Sequence, residues 1–242
     1  MNRFRRLFIL SAVLAGGILA AGGSAHAGGP GQGLFGGFGY FSVGLRQFDL
    51  SKMNSILQAN RYSALPESYL TLGGGGFALA RKWILGGEGV GIVERESGSQ
   101  TATGKFMGGY GFFDLGRIVW KSPRAFAALM AGFGGGGLQL KIASKNYPAN
   151  FSDALVGPFH STQLSKGGFL VKLGFMGQFI VHRKRRGRCF NGMVVGVGAG
   201  YVLPLYESQW TVEEHKIGSV PESGMAGPYV RISIGGGGFC SR

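Results

Sequence analysis

Eight stretches of the chain alternate apolar with small or polar residues at a period of two, at about 34–48, 68–80, 83–96, 103–120, 125–143, 166–181, 190–205 and 225–239. Period two sends successive side chains to opposite faces of a strand, so each stretch has one apolar face. In the sixth, Phe169, Val171, Leu173, Phe175, Phe179 and Val181 oppose Lys172, Gly174, Met176 and Gln178. In the fifth, Leu138, Leu140 and Ile142 oppose Gln139, Lys141 and Ala143, and in the last Val230, Ile232 and Ile234 oppose Tyr229, Arg231 and Ser233. The third and fourth alternate less cleanly. Most of these stretches exceed the usual strand of a soluble domain.

The connections sort by length. Those at 49–67, 144–165 and 206–224 are long, those near 81–82, 121–124 and 182–189 are short, and 97–102 is a shorter member of the first group. Long loops at one end and tight turns at the other predict an all-β fold, an eight-stranded antiparallel transmembrane up-and-down β-barrel with apolar sets facing lipid and small or polar sets facing the lumen. The same outward parity can cover a second sheet, so a soluble β-sandwich or lipocalin-like barrel is the competing architecture. One helix is expected, at 49–60 in the first outer loop, with Asp49 or Ser51 as its cap and Leu50, Met53, Ile56 and Leu57 as its apolar face.

The amino-terminal order supports export. Arg3, Arg5 and Arg6 precede an apolar run from Leu7 to Ala21 and then Ala25-His26-Ala27, the arrangement of a secretory signal peptide. Cleavage after Ala27 divides the chain into a leader, 1–27, and one barrel domain, 28–242, of 215 residues with a formal charge of +11. Beyond the leader no apolar run approaches the roughly 20 residues of a membrane helix.

Glycine contributes 48 of 242 residues, and "GGGG" stands between large apolar residues at 73–76, 134–137 and 235–238. Collagen periodicity is absent, and 45% hydrophobic content argues against a disordered chain. In a barrel of eight strands the interior barely holds its side chains, so inward glycines relieve crowding and outward ones permit bends or grooves. The positive charge fits anionic lipid or lipopolysaccharide better than nucleic acid, since no nucleic-acid-binding motif accompanies it. Gly31-x-Gly33-x-x-Gly36 matches a dinucleotide fingerprint but lacks the strand before it and the helix after it.

The signal peptide, the eight stretches, the alternating connections and the ending "GPYVRISIGGGGF", 227–239, together resemble the class of small eight-stranded outer-membrane barrels such as the OmpA transmembrane domain, OmpX and OmpW. The resemblance implies an outer-membrane location and a terminal strand read by the barrel-assembly machinery, although "CSR" follows Phe239 here. It transfers no catalytic residue. The expected role is a non-enzymatic structural or surface-interaction protein acting through its long loops. A narrow channel for small or hydrophobic solutes is the first alternative, and a lipid A-modifying enzyme the second.

Candidate chemistry is sparse. Arg46, Glu88, Glu94, Lys141, Lys172 and Arg231 have lumen parity, where opposite charges would pair and plug the tube or line a polar pathway. Cys189 and Cys240 fall at the turn-end rim of the last two strands, where a disulfide is geometrically open, two unlinked thiols being the alternative. Ser161, Glu213 and His215, with His160, lie in outer loops and would suit an enzyme only if they converged. The basic turn 182–188 is placed beside inner-leaflet phosphates. No cofactor and no metal is expected.

Overall fold

The computed structural model describes residues 34–98, 102–145, 161–186, 188–212, 215–216 and 224–241. The expected leader, 1–27, lies outside them. Ten strands and one helix follow in order: β1 (Leu34–Gln47), α1 (Ser51–Ala59), β2 (Ser68–Arg81), β3 (Trp83–Gly98), β4 (Ala102–Lys121), β5 (Ala125–Ser144), β6 (Ser161–Arg186), β7 (Cys189–Glu207), β8 (Thr211–Val212), β9 (His215–Lys216) and β10 (Gly227–Ser241). The eight long strands close on themselves. Consecutive ones pair antiparallel, β5 pairs with β6, and β1 pairs with β10 as well as β2. No long strand is left with an open edge, the condition for backbone in lipid. The short β8–β9 hairpin extends the loop end of β6.

The outer face carries the apolar groups. Phe41, Leu45, Leu129, Phe133, Leu173, Ile232 and Ile234 each expose between 48% and 63% of their surface, as lipid-facing side chains must. No helix among the described residues is long and apolar enough to cross a membrane. The fold is therefore a membrane-spanning barrel. Its strands overshoot the bilayer: the 20 residues of β4 and of β5, at about 3.3 Å each and tilted by roughly 40°, climb about 50 Å against an apolar band of about 25 Å. The excess stands mostly at the loop end, where the outer face turns polar with Glu94, Glu96, Lys105, Gln139 and Lys141.

Here the expected faces invert. Leu138 and Leu140 are buried inside with Phe106, Ile92 and Tyr69, while Lys141 points out. Above the lipid the apolar side of a strand belongs to the protein core, so parity keyed to lipid contact reads in reverse. β6 is likewise longer than the expected 166–181, because its polar ends pair with β5 and β7 outside the bilayer, where no alternation is imposed.

The helix starts at Ser51 with Leu50 at the N-cap and no side-chain cap; Asp49 accepts from the Ser51 hydroxyl at 2.7 Å instead. Leu50, Met53 and Leu57 are buried over the barrel mouth, whereas Ile56 is exposed.

Candidate functional site

The lumen is filled in three layers. Nearest the turns, Phe38, Phe77, Phe126, Phe190 and Phe239 pack ring on ring, with centroids 5.6 Å apart for Phe38 and Phe77 and 5.3 Å for Phe190 and Phe239. At the loop end the helix, Phe48, Tyr69 and Phe106 form a second apolar layer. Between them lies an ionic cluster.

Five strands build that cluster. Lys172 of β6 places its Nζ 2.6 Å from Glu88 Oε1 of β3 and 2.9 Å from Asp114 Oδ2 of β4. Arg231 of β10 donates from Nη1 to Glu88 Oε2, and Tyr40 of β1 donates its hydroxyl to the same oxygen at 2.7 Å. Two carboxylates meet two cations, so the cluster is neutral. Its side chains are nearly or wholly buried, and the desolvation of each ion is offset because every one has a partner. Inward glycines make the room. A Cβ on Gly132 would stand 2.2 Å from Asp114 Oδ1, and one on Gly198 2.9 Å from Arg231 Nε. A residual cavity beside Ser42, Thr71 and Tyr110 is about 10 Å³, room for about one water.

Of the six residues with expected lumen parity, the structure brings together Glu88, Lys172 and Arg231. Arg46 is inside but one level nearer the mouth, 4.7 Å from the Phe48 ring centroid and 4.2 Å from that of Tyr110, donating to the Met225 carbonyl. Its Nε lacks a hydrogen-bond partner. Glu94 and Lys141 are on the outer surface. A bulge in β3 between Ile92 and Arg95 turns Glu94 outward, where it accepts from Lys105 at 2.7 Å. Lys141 follows the odd, outward parity that β5 shows from Leu129 onward. Sequence reasoning missed Asp114 and Tyr40. The signal for Asp114 was available: it is the single charge inside "GFFDLG", 111–116, with the parity of Gly116.

Cys189 and Cys240 are cross-strand partners of β7 and β10, and their sulfurs are joined. Ser161 is exposed at the start of β6 and His215 opens β9, while His160 and Glu213 fall outside the described residues. Among the described residues no group of acid, histidine and cysteine side chains could hold a metal.

The molecule thus has the architecture of a closed eight-stranded antiparallel β-barrel with an apolar outer face. It is similar to Ail, the attachment invasion locus protein of Yersinia pestis, solved in complex with the heparin analogue sucrose octasulfate, at 14% identity and a TM-score of 0.42 over 84% of this chain and 98% of that one. It is also similar to the outer-membrane protein OprG of Pseudomonas aeruginosa, at 14% identity and a TM-score of 0.31 over 86% and 95%. The outer-membrane protease OmpT of Escherichia coli aligns at 8% identity and a TM-score of 0.32 over 87% and 96%. No protein-family model matches the sequence, and neither does any curated protein.

Proposed function

We propose that the protein is a non-conducting, non-enzymatic barrel of the outer membrane that serves the envelope structurally and meets surface partners through its long outer loops. The observation that carries this reading is the filled lumen: an aromatic layer, a neutral ionic layer and a helix-capped apolar layer lie in series along the axis. A solute would have to displace all three. The outward polar rim of β3 to β5 and the β8–β9 hairpin then present protein beyond the lipid, among the sugars and phosphates of lipopolysaccharide. During biogenesis β10, with its inward Phe239 near the end, is the strand offered to the barrel-assembly machinery.

Reconstitution in a planar bilayer tests the first half directly. The expected result is no stepwise ion current at any applied voltage short of membrane rupture. Reproducible unitary steps would overturn the reading and favour a narrow channel. Lipid A from a deletion strain, compared by mass spectrometry with that of the parent, is expected to be unchanged; a lost modification would instead make the protein an enzyme.

A further inference from the structure

Among the described residues, the charge at the turn end of the barrel is all positive. Arg81, Lys82, Arg117, Arg124, Lys184 and Arg188 are exposed there. Among the described residues no side-chain carboxylate accompanies them. Asp49, Glu67, Glu94, Glu96 and Glu207 lie at the loop end, where Lys105 and Lys166 pair with three of them, and Glu88 and Asp114 are inside the lumen. A rim of like charges repels itself unless an anion faces it.

One corner of this rim is built for more than solvation. Arg117 projects on the lipid-facing parity of β4 between Leu115 and Val119, which are 47% and 55% exposed. Its guanidinium lies 5.9 Å from the ring centroid of Trp83, itself 51% exposed, on the neighbouring strand toward the turn. A guanidinium on a lipid-facing row must reach the headgroups along its apolar stem, and tryptophan marks that level. The β2–β3 turn is tied to the same place, since the Ile118 amide donates to the Lys82 carbonyl at 2.8 Å. Arg81, Lys82 and Arg117 therefore share one corner with Trp83.

We propose that this corner binds the phosphate of an anionic phospholipid in the leaflet at the turn end, with Arg117 and the Arg81-Lys82 turn as its cationic contacts and Trp83 against the upper acyl chain. The inference rests on the barrel spanning a bilayer as proposed above.

The test uses the full mature barrel in phosphatidylcholine nanodiscs containing a small fraction of headgroup-proximal brominated phosphatidylglycerol or, separately, brominated phosphatidylcholine. Trp120, the third tryptophan, stands near the turn end of β4 and is replaced by Phe in every sample, so that quenching reports which lipid sits beside Trp83; Trp210, buried under the loops, gives an unquenched background. Quenching by phosphatidylglycerol is expected at several-fold lower mole fraction than by phosphatidylcholine, with the preference fading at high salt. The triple variant R81Q/K82Q/R117Q should lose most of that preference, about threefold to tenfold. The outer-face variant K105Q/K141Q should keep it. Equal quenching by the two lipids, or a preference unchanged in the triple variant, overturns the proposal. Displacement of the lipid by stoichiometric polyphosphate would also overturn it, because the corner would then be a general polyanion site. Gel mobility with and without boiling, run on the same nanodiscs, separates a failure of this site from a failure of the barrel itself.

Discussion

Glu88 holds the lumen together at the scale of a single residue. It receives Lys172, Arg231 and Tyr40 at once, from three other strands. Replacing it by Gln keeps the shape but leaves two buried cations with one carboxylate, Asp114. Breaking a buried ionic network in this way costs about 3–5 kcal/mol. Glu88→Gln should accordingly lower the urea midpoint of the barrel refolded in detergent by an amount matching that loss. The double variant Glu88→Gln with Arg231→Met, which removes the stranded cation and keeps the Lys172–Asp114 pair, should recover part of it. If the double variant were less stable by the sum of the two single costs, the charge-balance argument would fail. Glu94 supplies the contrast. Its partner Lys105 is exposed, and its replacement by Gln should leave the midpoint unchanged within error.

The tetraglycines become intelligible at the scale of the strand. In β5, Leu129 and Phe133 point outward before the run and Leu138 and Leu140 inward after it. In β2, Leu72 points outward before it and Phe77 and Leu79 inward after; in β10, Ile234 outward and Phe239 inward. Each run sits where the outward row switches from large apolar to small or polar side chains, and within it the two parities do different work. A Cβ on inward Gly235 would stand 2.0 Å from the Gly39 carbonyl oxygen and 2.7 Å from Tyr40 Cα, whereas one on outward Gly236 would meet nothing nearer than 3.9 Å. Gly235→Ala should therefore destabilise by about 1–3 kcal/mol through overpacking, while Gly236→Ala should be neutral or slightly stabilising. Comparable losses in both variants, read from urea unfolding, would mean that parity does not govern these glycines. This switching also explains what the sequence made legible. Alternation located β2, β5, β7 and β10 to within a residue or two, because lipid on one side and a narrow lumen on the other impose it. It misassigned Lys141 because apolar parity reverses above the bilayer. It misassigned Glu94 because a bulge leaves no trace in composition, and it passed over Asp114 because β4 alternates weakly among its glycines.

For the whole molecule, closure is redundant. The helix α1 seats Leu50, Met53 and Leu57 in the mouth, yet the ionic layer and the phenylalanine layer lie below it and rest on strands that the helix does not form. A lid over an open pore would gate current; a cap on a filled tube would not. Replacing residues 49–62 by a short Gly-Ser link removes the cap while leaving the eight-strand pairing intact, since β1 and β2 remain adjacent and antiparallel. The variant should still migrate faster before boiling than after, though it should unfold at lower urea for want of the buried helix face. In a planar bilayer it should remain electrically silent. Unitary currents appearing only in this variant would identify α1 as a gate over a conducting lumen, and the layers beneath it would then have to be mobile rather than a fixed plug.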